Sequence, residues 1–445
     1  MGMGKGEPYL MKARFVHLAD VHLGFEQYGL KERFNDFARA WDDALQQAVD
    51  RKVDFVLIAG DLFHKRTVEP MALLQASSGL DKLRAAGIPA VAVEGNHERI
   101  VYGQEFSWMQ YLAWQGCFRL LSPITAKGEI ALDPCDEETG RGGYVDLNGV
   151  RIAGQQYLGA TAPAVLEKVA KRLEELPPAE FTVYMMHAGM EGIVPNYPGC
   201  VTYEQVQPIR PFVQYLALGH VHIRFDREGW LFNPGSLETC SVDEVGEDRG
   251  FYLVDVDTER APAIQATLLT PRRRPFLRFR VDAGQARTPG ELEALVQAAV
   301  RPHIDSTGTI SDPGGWSAGS ARDPTGEWNK PVVDLCLRGT LRFDRKDLDL
   351  NALEMIASRA LNALHVEVKN QAVPRDFQSN DGGPVSRQEL ERRTLEALFM
   401  NDTRYQPDAG HWAEVAAEIK RMAVSGAEPE TLAQFLEQSL PVGHE

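Results

Sequence analysis

Between residues 14 and 97 apolar runs of strand length alternate with amphipathic stretches, and each apolar run closes on a short polar segment. Residues 14–20 (Arg-Phe-Val-His-Leu-Ala-Asp) read as a strand ending in a polar loop. Residues 31–49 follow, with Phe34, Phe37, Ala38, Trp41, Ala44, Leu45 and Ala48 at helical spacing. Residues 53–59 read as a buried strand ending in Gly60-Asp61, residues 69–86 as a second helix, and residues 88–93 as a third strand ending in Glu94-Gly-Asn-His97. Strand–helix–strand–helix–strand restricts the chain to a layered α/β fold. Further strands are expected at 150–153, 181–186, 212–218 and 250–256.

At 445 residues the chain is long enough for roughly three structural units at about 150 residues each. No apolar stretch approaches the ~20 residues of a membrane span, so no membrane association is expected. The first dozen residues carry no apolar signal core. Five scattered cysteines (Cys117, Cys135, Cys200, Cys240, Cys336) form no CxxC pair, which points to a reducing, cytoplasmic setting. The net charge of −16 is the wrong sign for coating nucleic acid by bulk electrostatics. Any nucleic-acid chemistry then needs local positive groups, metal ions or a partner.

Five segments carry the chemistry: Asp20-Val-His22, Gly60-Asp61-Leu-Phe-His64, Gly95-Asn96-His97-Glu98, His187, and Gly219-His220-Val-His222. They supply two carboxylates, one carboxamide and several imidazoles. Such a mixed O/N donor set suits Mn²⁺, Fe²⁺ or Zn²⁺ better than Mg²⁺ or Ca²⁺. In a D-x-H or H-x-H pair just past a strand, alternation puts both side chains on one side, where they can converge on an ion. All five segments lie at carboxyl ends of expected strands, the edge where open α/β sheets bind ligands. Alone, each reads as an ordinary turn or surface loop; their joint occurrence does not. His17, inside the first strand, reads as a packed core histidine.

These segments resemble the signature of calcineurin-like metallophosphoesterases (D-x-H, GD, GNH, H, GH-x-H) over residues 14–240. The resemblance is closer still to SbcD-type nucleases, the nuclease subunits of DNA double-strand-break repair complexes. It is carried by His17-Leu-Ala-Asp-Val-His-Leu-Gly24, Ala59-Gly-Asp-Leu-Phe-His64, Gly95-Asn-His-Glu98, Tyr215-Leu-Ala-Leu-Gly-His-Val-His222 and Asn233-Pro-Gly-Ser236. Two departures stand out: His187 is followed by Ala-Gly where the family often has Gln-Gly, and residues 306–329 form an unusual Gly-, Ser- and Asp-rich insertion.

The resemblance implies a metallophosphoesterase β-sandwich flanked by helices over residues 12–270. It further implies a small α+β capping domain over 271–374 and a helical partner-binding tail over 386–445. It implies two divalent metal ions, expected to be Mn²⁺. Asp20, His22 and His222 would hold the first, and Asn96, His187 and His220 the second. Asp61 would bridge them. His97 would serve the leaving group as a general acid, and His64 would orient His97 or touch the scissile phosphate. It also implies DNA as substrate, an SMC-like coiled-coil ATPase as partner, and a homodimer, expected through helices near 69–86 and 104–115. The chain has no Walker A segment, so ATP dependence would come from that partner.

Strands at 276–281, 332–338 and 364–369 and helices at 289–300 and 349–361 are expected in the capping region. Arg272, Arg273, Arg274, Arg278 and Arg280 open it, as phosphate contacts or as a charged hinge. The tail reads as three helices, with a capping box at Ser386 and Glu389. Its apolar stripes are Trp412, Val415, Ala416, Ile419, Met422 and Ala423, then Leu432, Phe435, Leu436 and Leu440. The leading function is a metal-dependent DNA exonuclease or endonuclease. The alternatives are a phosphoesterase on small nucleotides or phosphoproteins, and a non-catalytic scaffold for DNA or the ATPase.

Overall fold

The computed structural model describes residues 11–101, 103–126, 129–195, 197–301, 329–374, 387–400, 405–424 and 429–439. Nearly all of the 306–329 insertion, the polar stretch 375–385, Ser386 of the capping box, and Leu440 lie outside them.

Strands β1 (Lys12–Leu18), β2 (Phe55–Ala59), β3 (Ala90–Val93) and β4 (Arg119–Leu121) pair in parallel, in sequence order. Strand Phe251–Asp257 joins β1 antiparallel and Ile264–Leu269 extends that edge, completing a seven-stranded sheet with Arg141–Gly142 on the other side. A six-stranded sheet runs in the order Phe225–Arg227, Leu231–Asn233, Tyr215–Gly219, Phe181–His187, Val150–Gln155, Tyr144–Leu147.

Alternation along the strands produces the layers. In β2, Phe55, Leu57 and Ala59 belong to one buried cluster, and Val56 and Ile58 to another. The first cluster is the interior of the sandwich, where Phe15, Leu57 and Val91 of one sheet meet Ile152, Val183, Met185 and Tyr215 of the other. Phe15 stacks on Phe55 with ring centroids 4.9 Å apart and meets Tyr215 edge-on at 5.3 Å. The second cluster covers the opposite face of the seven-stranded sheet with helices α1 (Lys31–Asp50) and α2 (Pro70–Ala85), through Trp41, Leu45, Leu80 and Leu83. Helix Ala162–Glu175 covers the six-stranded sheet through Leu166 and Val169. Strands buried on both faces need continuous apolar runs, which is why β2 contains no polar residue. Truncating such a residue, Phe15→Ala for example, costs about 3–5 kcal/mol. The result is the helix-flanked β-sandwich expected from the sequence.

Strands Phe276–Asp282, Val332–Arg338 and His365–Asn370 form a separate, all-parallel sheet. Its helices are Pro289–Val300 and Leu350–Leu361, begun by Thr288 and Asp349 side chains that accept from Glu291 N and Ala352 N. Two of the five arginines in the expected cluster are structural. Arg274 is buried and paired with Asp36 at 2.5 and 3.0 Å, and Arg278 pairs with Asp334 at 2.6 Å. Arg272 and Arg280 are exposed, and Arg272 reaches Asp43 at 3.4 Å.

By its internal contacts the chain divides into two units, residues 1–339 with 346–372 and residues 340–345 with 373–445. In the second, helices Arg387–Met400, Ala409–Val424 and Pro429–Gln438 pack on one another. Tyr405 links Phe399 and Trp412 by edge-on ring contacts at 5.5 and 5.4 Å.

Candidate metal centre

The donor loops leave adjacent strand ends at the same edge of the sandwich. β1 delivers Asp20 and His22, and β2 delivers Asp61. β3 delivers Asn96 and His97. His187 closes strand Phe181–His187, and His220 and His222 follow Tyr215–Gly219. The main chain sews these loops together: Asp20 N donates to Gly60 O at 3.1 Å, and His22 N to Asp61 O at 3.0 Å. Asp20 accepts the His220 N–H at 2.9 and 3.0 Å, and Asp61 Oδ1 accepts the His97 N–H at 3.0 Å.

Asp20, His22, Asp61 and His220 all have positive φ, of 52°, 52°, 51° and 87°. Strain of this kind, about 1–3 kcal/mol per residue, persists only where the surroundings over-determine it, and it concentrates at functional sites. The glycines explain how the loops close. A Cβ on Gly60, itself at φ +89°, would lie 2.3 Å from His187 Nδ1, and one on Gly95 would lie 2.0 Å from Asp61 Oδ1.

The seven expected ligands converge. His187 Nε2 lies 3.2 Å from Asp61 Oδ2, 3.1 Å from Asn96 Oδ1 and 4.0 Å from Asp20 Oδ1. His22 Nε2 lies 3.1 Å from His222 Nε2 and 4.0 Å from Asp61 Oδ2. Asp61, His187 and His220 present donor atoms within 4.8 Å of one another, and so do Asp20, His22 and Asp61. Asp20, Asp61, His22 and His187 are each no more than 2% exposed.

This donor set fits divalent cations. His187 Nδ1–H donates to Ala59 O at 2.8 Å, which aims Nε2 at the Asp61 carboxylate and the Asn96 carbonyl. An imidazole nitrogen, a carboxylate and a carboxamide oxygen meet in one buried space, a grouping that a proton or a cation between them satisfies. Burial lowers the His187 pKa, but Asp61 outweighs it and holds the imidazole protonated up to about 9. A proton there marks where a cation gains most. Burial raises the Asp61 carboxyl, yet the imidazoles of His187, His22 and His97 hold it well below the usual carboxylate range. His220 is pushed down to about 4 by burial and by His187, so it is neutral and able to ligate near pH 7. The buried His22 Nδ1 has no hydrogen-bond partner.

His97 stands at the rim, its side chain one-third exposed (33%), with Nε2 3.9 Å from Asp61 Oδ2. Its Nδ1–H donates to the backbone carbonyl of His64 at 2.5 Å. The main chain of His64, then, orients His97. The His64 imidazole stacks on Phe25 with centroids 3.8 Å apart, and burial lowers its pKa to about 4. His17 is buried as expected, 3.0 Å from both the Tyr215 hydroxyl and Leu218 O.

Sequence reasoning passed over three supporting residues. Glu98 accepts from Asp61 N, Gly95 N and Phe63 N at 3.0, 2.7 and 2.9 Å, tying the second donor loop to the third. Asn233 Nδ2 donates to Val221 O and Ile223 O at 2.7 and 2.8 Å, gripping the loop around His222. Glu244 accepts from His222 Nδ1 at 2.8 Å and also pairs with Arg249. Glu98 and Asn233 stood inside quoted motifs, which was a usable signal. Glu244 stood in none.

The family model for calcineurin-like phosphoesterases matches residues 13–224, which contain every donor described. This part of the chain is a calcineurin-like metallophosphoesterase domain, of the class that hydrolyses phosphoesters with metal ions. Curated relatives include the DNA double-strand break repair protein Mre11 of Archaeoglobus fulgidus, 31% identical over 242 residues, 53% of this chain and 52% of that protein. The Mre11 of Aeropyrum pernix is 28% identical over 335 residues, 73% of each chain. The uncharacterized metallophosphoesterase YhaO of Bacillus subtilis is 27% identical over 254 residues, 54% of this chain and 57% of that protein. The match thus spans about half the length of the Archaeoglobus and Bacillus relatives. Among the described residues no helix is long and apolar enough to cross a membrane.

Proposed function

We propose that the chain is a metal-dependent DNA nuclease acting on ends or hairpins in double-strand-break repair, with two divalent ions, Mn²⁺ in the first instance. The observation that carries this reading is the convergence of seven donors beside an oriented, one-third-exposed His97. Asp20, His22 and His222 would hold one ion, Asn96, His187 and His220 the other, and Asp61 would serve both. Bound cations at such a site supply charge stabilisation for the phosphodiester and its departing oxygen. The two carboxylates offset part of that positive charge and keep the donors apart. His97 presents Nε2 as a proton donor to the leaving oxygen, its ring held from behind by the His64 carbonyl.

The Mre11 relatives support DNA as the substrate. The net charge of −16 supports a partner that brings positive surface, an SMC-like coiled-coil ATPase in this reading. Exposed Met71 and Leu74 on α2, with Trp114 at the end of helix Trp108–Trp114, support a homodimer. A cytoplasmic location follows from the same reading. The test is degradation of labelled duplex with Mn²⁺, abolished by His97→Ala while bound metal persists. Turnover of a small chromogenic phosphodiester with no action on DNA would move the assignment to a small-molecule phosphoesterase.

A further inference from the structure

One thiol belongs to the donor cluster, although no motif announces it. Cys240, His22 and His222 place ligand atoms within 4.8 Å of one another. Among the described residues, which include all five cysteines, no other cysteine enters such a group. Cys240 is firmly placed. Its N–H donates to Glu244 Oε2 at 3.0 Å, and its carbonyl accepts from Gln27 Nε2 at 2.8 Å. The other Glu244 oxygen accepts from His222 Nδ1 at 2.8 Å, so one carboxylate positions both the thiol-bearing backbone and the imidazole. The thiol makes a long contact to Glu238 O, at 3.5 Å, and hydrogen-bonds with the His222 imidazole. The buried His22 imidazole beside it keeps one nitrogen without a partner.

We propose that Cys240 is a further ligand, with His22 and His222, for a thiophilic divalent cation such as Zn²⁺, Co²⁺ or Cd²⁺. The proposal rests on the two-ion reading above and deepens it. Two imidazoles and a thiolate form a donor set that soft and borderline cations prefer, while Mn²⁺ favours the oxygen-rich side around Asp20 and Asp61. On binding, the S–H bond breaks, a sulfur–metal bond forms and the proton leaves to solvent, so uptake of the soft cation releases a proton that Mn²⁺ uptake does not. The same pocket therefore distinguishes metals by whether the sulfur engages.

The experiment is titration of the full-length protein with Co²⁺, followed by absorption. Visible ligand-field bands report binding, and intense near-ultraviolet thiolate-to-cobalt charge transfer reports sulfur ligation. The expected result is both in the wild type, with Cys240→Ser and Cys240→Ala keeping the visible bands and losing the charge transfer. Visible bands without charge transfer in the wild type overturn the thiolate ligand and leave the two-ion reading standing. Charge transfer that survives in both variants overturns it as well. A wild type that takes up no Co²⁺ and no Mn²⁺ overturns both readings together.

Discussion

The imidazoles on the two sides of Asp61 are held by different chemistry. His222 leans on a side chain: its Nδ1–H donates to the Glu244 carboxylate, which in turn pairs with Arg249. His187 and His220 lean on the main chain, donating to Ala59 O at 2.8 Å and Pro198 O at 2.6 Å. A carboxylate behind an imidazole raises its basicity and can be changed by a single substitution. A backbone carbonyl is neutral and is displaced only by distorting the chain. One side of the centre is adjustable by sequence, and the other is rigid by construction.

The contrast can be broken from its middle outward. Asp61→Asn removes the carboxylate both sides share, and hydrolysis should fall to background with loss of bound metal, read by elemental analysis. His97→Ala leaves both sides intact and should lower kcat by roughly 10²–10⁴-fold with metal content retained. Glu244→Gln loosens only the adjustable side and should weaken metal binding by about 10–100-fold in calorimetric titration, and Tm falls too because buried Arg249 loses its charge partner. Gly60→Ala strikes the rigid side instead. Its Cβ collides with His187 at a positive φ, so loss of metal should come with a lower Tm, by about 1–3 kcal/mol of strain. Metal affinity unchanged in Glu244→Gln would erase the distinction.

A separate effect concerns pH. His17 is buried and neutral in the fold, its pKa lowered to about 3 by desolvation, against 6.5 unfolded. Between those values the unfolded chain holds the extra proton. The contribution of His17 to stability is therefore complete above about pH 6.5 and is lost as pH falls toward 3, by up to roughly 1.4 kcal/mol per pH unit. His17→Phe should flatten that part of a Tm-against-pH profile.

Much of the centre was legible without coordinates. Asp20, His22, Asp61, Asn96, His187, His220 and His222 each sit at the end of an apolar strand or within four residues past it, and alternation aims D-x-H and H-x-H pairs one way. The layered α/β order was legible for a related reason: β2 and β3 are apolar throughout, as strands covered on both faces are; that the layers form a helix-flanked sandwich came from the family resemblance. The arginine cluster was not. Arg274 and Arg278 read equally well as phosphate contacts until Asp36 and Asp334 were found opposite them.

What the sequence determined alone is local: which residues form strands, which polar groups stand at their ends, and which glycines let the loops turn. Tertiary structure decided what those groups meet. Glu244, Cys240, and the carbonyls of Ala59, Pro198 and His64 act on the donors across long stretches of chain. No periodicity links such positions; the face-to-face packing of two sheets brings their strand ends into contact.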